Sequence, residues 1–212
     1  MSRQLQRIEL PGEAGRLEAL LALPPEPPRA VALLCHPHPQ HGGNMHTKAL
    51  YRAGQALVES GLAVLRFNFR GVGRSAGAFA AGVGELEDAR SAYQWLAAHY
   101  ADRPLLLGGF SFGAWVALRL AAAGGVAQAL LALAPPLELY DFPPPWQGEP
   151  PLLLVAGSED PLCPVAVLEA WGARRGAEVV VLPHTSHLLV ERLNDLQNAV
   201  SRFASRLLPK AP

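Results

Sequence analysis

A serine flanked by glycines stands out in the stretch Gly109-Phe110-Ser111-Phe112-Gly113, which follows an apolar run at 105–107. The pattern Gly-x-Ser-x-Gly between a strand and a helix is typical of a nucleophile on a strained turn, where larger side chains two positions away would collide. Such a turn lifts the hydroxyl clear of the sheet, and the next backbone N–H points at any oxyanion that forms. The stretch therefore predicts Ser111 as a nucleophile and the N–H of Phe112 as one oxyanion-hole donor.

A serine hydroxyl needs a general base, and the base needs an acid that orients it. After a nucleophile of this kind, the acid and the base follow along the chain in the order Ser, Asp, His. Asp160 comes three residues after an apolar run at 152–157, and His187 lies just before the last predicted helix, from which it can reach back across the sheet edge. We predict these two as the acid and the base. Other residues at comparable positions are Glu159 and Asp141 for the acid and His184 for the base.

Four histidines, His36, His38, His41 and His46, lie in one short loop. Their spacing is similar to an H-x-H-x-D-H zinc set, but Gln40 stands where that set needs aspartate, and we expect no metal and no cofactor. The loop follows the third predicted strand, the position that supplies a second oxyanion donor. We therefore predict the backbone N–H of His38 as that donor.

Short apolar runs alternate with longer amphipathic stretches along the chain. Strands are predicted at 5–10, 17–23, 30–35, 62–69, 105–110, 129–134, 152–157 and 179–183, and helices at 47–61, 84–100, 112–125, 164–176 and 190–208. This alternation predicts an α/β fold: a doubly wound, mostly parallel sheet of about eight strands with helices on both faces. The first two strands should form an antiparallel pair, and residues 1–212 a single domain.

Composition narrows the range of partners and compartments. Half of the 212 residues are hydrophobic, and 18 Lys and Arg balance 18 Asp and Glu, so no charge field favours nucleic acid or an anionic membrane. No apolar run reaches about 18 residues and no signal peptide is visible, so we expect no membrane insertion. Cys35 and Cys163 are interpreted as reduced thiols of a cytoplasmic protein. A monomer or a homodimer is expected.

The connection between the predicted strands 129–134 and 152–157 is short and rich in proline. It has no room for a lid of several helices, so an open site is expected, suited to small or exposed acyl groups. Leu137, Phe142 and Trp146 are candidates for a shallow apolar wall that binds substrate. Two further predictions are structural: Arg70 in a buried ion pair or hydrogen bond, and Trp95 and Trp115 in the core.

Three stretches carry a resemblance to a known family: LLCHPHPQHGGNMHTK, LRFNFRGVGRSAG and GGFSFGAWVAL. In this order they resemble the H-P-H-P-x-x-G-G, F-N-F-R-G-V-G-x-S and G-F-S-x-G motifs of a small bacterial group of the α/β-hydrolase superfamily without a cap domain. The resemblance covers nearly the whole chain. It implies the α/β-hydrolase fold and an esterase related to dienelactone hydrolases and serine aminopeptidase-like hydrolases. The one departure, Asn44-Met45-His46 where the group usually has Thr-Met-Asp, concerns the edge of the loop.

Several functions remain open from the sequence. The main hypothesis is a serine hydrolase that cleaves ester-type bonds through an acyl-enzyme intermediate, with activity that rises with pH as His187 loses its proton. A peptidase or amidase with the same three residues is the first alternative. A zinc hydrolase built on the histidine loop is the second, and a non-catalytic protein that binds a small ligand is the third.

Overall fold

The computed structural model describes residues 4–207. The ends of the predicted domain, 1–3 and 208–212, and the predicted last helical residue at 208 lie outside the described residues. Within the described residues there are eight strands: β1 (Gln4–Gly12), β2 (Gly15–Leu23), β3 (Ala30–Cys35), β4 (Leu62–Phe67), β5 (Leu105–Phe110), β6 (Ala129–Leu133), β7 (Leu152–Gly157) and β8 (Glu178–Leu182). The α-helices are α1 (Lys48–Glu59), α2 (Val83–His99), α3 (Phe112–Ala122), α4 (Val165–Ala173) and α5 (Leu193–Leu207), with 3₁₀ turns at Pro39–His41 and Val190–Arg192.

The eight strands form one sheet in the order β1-β2-β4-β3-β5-β6-β7-β8. The pairs β1–β2 and β2–β4 are antiparallel, and every other neighbouring pair is parallel. Strands β3 to β7 are buried along their whole length, as expected for strands covered on both faces. The predicted fold class is therefore confirmed, and β3 to β8 all end at the same edge.

Helices cover both faces of the sheet and build two separate cores. On one face, α1 and α5 pack on the sheet through apolar side chains such as Leu50, Leu57 and Phe203. On the other, α2, α3 and α4 do the same, for example through Leu96 and Leu168. The central strands β3 to β7 are thus shielded from water on both sides, which leaves their carboxyl edge as the place where polar loops can converge.

Some predicted boundaries extend too far. The fourth strand stops at Phe67 rather than at 69, because the N–H of Asn68 donates to the Glu18 carbonyl and its side-chain oxygen accepts from Met45 N–H. The last helix begins at Leu193 rather than at 190, after a 3₁₀ turn entered through Leu189 in the left-handed region at φ 57°. Neither the long-range bonds of Asn68 nor the backbone conformation of Leu189 leaves a trace in hydrophobic periodicity.

No helix interrupts the connection at 134–151, so the described residues contain no cap domain between β6 and β7. Arg175 holds this connection against α4: it pairs with Glu149, donates to the Pro143 carbonyl and lies 3.9 Å above the Trp171 ring. In residues 4–207, no helix combines the length and the apolar character that a membrane crossing requires.

Candidate active site

Ser111 occupies a strained turn between β5 and α3, with φ 55° and ψ −120°. The flanking glycines make the turn possible. A Cβ on Gly113 would lie 2.2 Å from the carbonyl oxygen of Cys35 at the end of β3, and one on Gly109 would lie 2.3 Å from the Gly113 carbonyl. Both distances are far below van der Waals contact, so the backbone itself requires glycine at these two positions.

The structure brings Ser111, His187 and Asp160 together. The Ser111 Oγ lies 2.9 Å from Nε2 of His187, and Nδ1 of the same ring lies 2.8 Å from Oδ2 of Asp160. The Asp160 side chain is fully buried, and its second oxygen accepts a 2.9 Å bond from the N–H of Leu162. This arrangement fixes the carboxylate and, through it, the orientation of the imidazole.

The loop after β7, which carries Asp160, and the loop after β8, which carries His187, contact each other directly. A Cβ on Gly157 would lie only 2.0 Å from the carbonyl oxygen of Thr185. The same oxygen accepts a 2.9 Å bond from the N–H of Glu159. The hydroxyl of Ser158 accepts the N–H of His184 at 2.9 Å. Glycine at 157 therefore lets the histidine-bearing loop lie directly on the aspartate-bearing loop.

The alternative acids and base lie elsewhere. His184 Nδ1 is 3.2 Å from Glu159 Oε1, and both side chains are largely exposed, at 84% and 61%. Asp141 is exposed, and its backbone carbonyl accepts a 2.9 Å bond from Nε1 of Trp115. These residues form surface contacts that are separate from the serine.

The two residues predicted to carry the oxyanion donors have neighbouring side chains. Phe112 is the first residue of α3, where a backbone N–H has no intrahelical acceptor, and the rings of Phe112 and His38 are 5.1 Å apart. The carbonyl of His38 accepts from the N–H groups of His41 and Gly43, each at 3.1 Å, which folds the loop tightly. Within residues 4–207, no acceptor is bonded to the backbone N–H of Phe112 or His38.

His36 ties the ends of β3 and β4 together. Its Nε2 accepts a 3.0 Å bond from the N–H of Phe69, and its Nδ1 donates to the Pro37 carbonyl at 2.6 Å. Burial of the ring lowers the pKa of His36 to about 4, against a smaller opposing effect of the Pro37 bond. A neutral His36 thus anchors the loop that carries His38. Among the described residues, no group of three or more His, Cys, Asp or Glu side chains is arranged to hold a metal ion.

Burial also shifts the pKa values of three other groups near the site. Burial, then the charge of Asp160, raises the pKa of the Cys163 thiol to about 12, so this buried cysteine stays protonated. Burial likewise raises the pKa of Tyr140, which stays a neutral phenol. Burial and then the neighbouring His41 lower the pKa of His38.

The three predicted wall residues have mixed placements. Phe142 is buried, with its ring 5.8 Å from Trp171 of α4, and Trp146 lies 5.8 Å from the guanidinium of Arg175. Leu137 is half-buried against the same core. The ring of Phe142 contacts α4 and the ring of Trp146 contacts Arg175, which follows α4, rather than Ser111 or His187.

Two aromatic residues that were not predicted from the sequence, Tyr140 and Phe79, lie near the rings of Phe112 and His38. Tyr140 lies 5.8 Å from Phe112 and stacks on Trp115 at 4.7 Å, and Phe79 lies 4.8 Å from His38. Trp115, predicted to lie in the core, is half-buried: it packs against the core and stacks on Tyr140. The position of Tyr140 after β6, at the carboxyl edge, is a signal that could have indicated it.

Comparison with known proteins identifies the family. The profile of the family described as "Serine aminopeptidase, S33" matches residues 26–149, more than half of the chain. The chain belongs to this family of α/β hydrolases. This confirms the family resemblance inferred from the three motifs.

Related structures agree with this α/β-hydrolase assignment. An α/β serine hydrolase without lid from Xanthomonas campestris is 36% identical, with a TM-score of 0.90 over 100% of this chain and 99% of its own. An α/β serine hydrolase homologue from Coxiella burnetii is 34% identical, with a TM-score of 0.87 over 93% of this chain and 96% of its own. An uncharacterized protein of Rickettsia prowazekii is 43% identical over 143 residues, 65% of this chain, and the match spans 60% of that relative's length.

Proposed function

We propose that this α/β hydrolase cleaves ester-type bonds of small or exposed acyl substrates through an acyl-enzyme intermediate. The observation that carries the proposal is the continuous chain of contacts from Ser111 Oγ to His187 Nε2 at 2.9 Å and from His187 Nδ1 to Asp160 at 2.8 Å. With its Nδ1–H donated to the carboxylate, a neutral His187 presents the lone pair of Nε2 to the serine hydroxyl. This is the arrangement that makes a serine nucleophilic.

In the first step, Oγ of Ser111 bonds to the ester carbonyl carbon while His187 Nε2 takes the hydroxyl proton. The carbonyl electrons move to oxygen, and the N–H groups of Phe112 and His38 stabilise this oxyanion; each such donor is typically worth ~10²–10³ in rate. Asp160 stabilises the imidazolium. The tetrahedral intermediate then collapses, and the alcohol leaves with the proton from His187.

In the second step, water loses a proton to His187 and attacks the acyl group on Ser111. The bond between Oγ and the acyl carbon breaks, the carboxylic acid is released, and Oγ recovers its proton from His187. In both steps of this scheme, His187 accepts the proton and then returns it.

The expected substrate size follows from the connection at 134–151, which contains no helix to enclose a long acyl chain. We place Leu137, Phe142 and Trp146 along the acyl side of the site. In this proposal Phe142 and Trp146 act through their contacts with Trp171 of α4 and with Arg175, which hold the connection in place. Tyr140, next to Phe112, adds an aromatic edge.

A fluorophosphonate probe and a substrate panel test the proposal. The protein should be labelled on Ser111 and should hydrolyse p-nitrophenyl acetate and butyrate faster than the palmitate, and Ser111→Ala should lose both properties. A chelator should leave these rates unchanged. Absence of both labelling and turnover would instead support a non-catalytic ligand-binding protein.

The same panel includes aminoacyl p-nitroanilides, because the family description names an aminopeptidase. We expect ester turnover to exceed amide turnover. Labelling of Ser111 together with faster cleavage of the anilides would assign a peptidase and overturn the ester proposal.

A further inference from the structure

A cavity of about 150 Å³ lies between α1 and the antiparallel end of the sheet formed by β1, β2 and β4. Its walls are largely apolar, with one cation, Arg66, and two amides, Gln4 and Gln55, among them. The residues that matter below are Ala22, Tyr51, Gln55, Val58, Val64 and Arg66. Ser111, His187 and Asp160 take no part in its lining. The cavity is therefore separate from the proposed active site.

The cation of this cavity is buried without a counter-ion. Arg66 is only 4% exposed, its Nη1 donates to the Met45 carbonyl at 2.7 Å, and its guanidinium lies 5.1 Å from the centre of the Tyr51 ring. Across residues 4–207, no carboxylate pairs with Arg66, whereas the buried Arg70 pairs with Asp88. A buried charge without a counter-ion is costly, so an anion in the cavity would be stabilised.

An amide in the same cavity is also incompletely bonded. Gln55 donates from Nε2 to the Tyr51 hydroxyl at 3.0 Å, while its buried Oε1 has no donor among the described residues. A tyrosine hydroxyl can donate as well as accept, so an amide turned by 180° keeps a bond to Tyr51 and presents its N–H instead. Gln55 can thus supply a second donor at no cost in its bond to Tyr51.

From these contacts we infer that the cavity binds a small aliphatic carboxylate. The Arg66 guanidinium and the Gln55 amide receive the carboxylate, and the tail packs on Val58, Val64 and Ala22. A cavity of this volume holds a molecule of about six non-hydrogen atoms. The apolar walls and the single cation favour a monocarboxylate over phosphate, which needs more donors. The inference does not depend on the proposed esterase activity.

Butyrate is a suitable probe, with butyramide as its neutral control. Addition of butyrate to the ¹⁵N-labelled protein should shift the backbone amide signals of Gly54 and Gln55 saturably, and butyramide should not. Following these signals separates the cavity from Ser111, where butyrate could bind as a reaction product. Butyrate shifts confined to residues around Ser111, or equal responses to both compounds, would overturn the inference.

Three variants sharpen the test. Arg66→Met removes the cation and should weaken butyrate binding at least about tenfold, the loss expected for a charge-assisted hydrogen bond. Ala22→Leu fills the cavity without touching Arg66 and should weaken binding similarly. Arg52→Met removes a cation elsewhere on α1 and should bind like the wild type.

Urea unfolding shows which variants are folded. If Arg66→Met does not fold, the comparison of Ala22→Leu with Arg52→Met decides the question. Wild-type affinity in a folded Arg66→Met or in Ala22→Leu would overturn the inference.

Discussion

The Ser111 Oγ and the His187 Nε2 lie 2.9 Å apart, although 76 residues separate them in the sequence. They follow β5 and β8, which are three strands apart in the sheet, a span of roughly 14 Å. The loop after β8 therefore has to reach back over β6 and β7. The close approach of Thr185 to Gly157 lets it do so, and the His187 ring comes to lie 5.6 Å from that of Phe110.

The role proposed for Asp160 can be tested against its sequence neighbour. Asp160→Asn should lower kcat by ~10³–10⁴, because an amide cannot hold the imidazole in the required tautomer or stabilise its charged form. Glu159→Gln should change kcat less than about twofold, since the Glu159 carboxylate contacts the exposed His184 side chain and, within residues 4–207, has no bond to Ser111 or His187. Steady-state ester hydrolysis measures both. A larger loss of kcat in Glu159→Gln than in Asp160→Asn would identify Glu159 as the acid instead.

The backbone donor proposed at position 38 can be removed by a proline. The φ of −51° at His38 suits proline, so His38→Pro deletes the N–H with little strain, and His38→Ala removes the same side chain but keeps the N–H. We expect His38→Pro to have a kcat ~10²–10³ below that of His38→Ala. Stopped assays at saturating ester would reveal the difference. Equal rates in the two variants would place the second donor elsewhere.

The close approach of α3 to the end of β3 predicts that Gly113 does not tolerate a larger side chain. Gly113→Ala should destabilise the protein by about 3 kcal/mol or more, because its Cβ would overlap the Cys35 carbonyl. Gly54→Ala is the matched control: it lies within α1, and its Cβ would contact Arg66 at an ordinary 3.5 Å. We expect Gly54→Ala to gain ~0.5–1 kcal/mol. Urea unfolding measures both, and a stable Gly113→Ala would contradict the packing argument.

Burial of His36 predicts a loss of stability in acid. The pKa of His36 is about 4 in the folded protein, whereas the ordinary value of 6.5 applies to the unfolded chain. Between these two pH values the unfolded chain therefore binds more protons than the folded protein. Stability should fall as pH drops from about 6.5 to about 4, by on the order of 3 kcal/mol. His36→Gln, which keeps an acceptor for the Phe69 N–H, should lose this part of the slope. Urea unfolding from pH 7 to pH 4 compares the two, and parallel curves would rule His36 out as the source.

Much of the fold could be predicted from the sequence because its signals are local. The buried strands are visible in the sequence as continuous apolar runs, and Gly109 and Gly113 are required by the single turn that carries Ser111. The end of β4 could not be predicted, because distant partners set it: Glu18 and Met45 bond Asn68. The aromatic stack of Tyr140 and Trp115 was missed for the same reason, since it joins a loop to a helix that precedes it in the chain.

By itself, the sequence determined the order of strands and helices, the turn at Ser111 and the family motifs, because apolar periodicity and glycine requirements are properties of short segments. Only the tertiary structure decided which carboxylate meets which histidine. Asp160 and Glu159 are adjacent in the chain, yet one is buried against His187 and the other is exposed beside His184. Successive residues of a turn point in different directions, and only the packing of the loops after β7 and β8 decides which of them faces the serine.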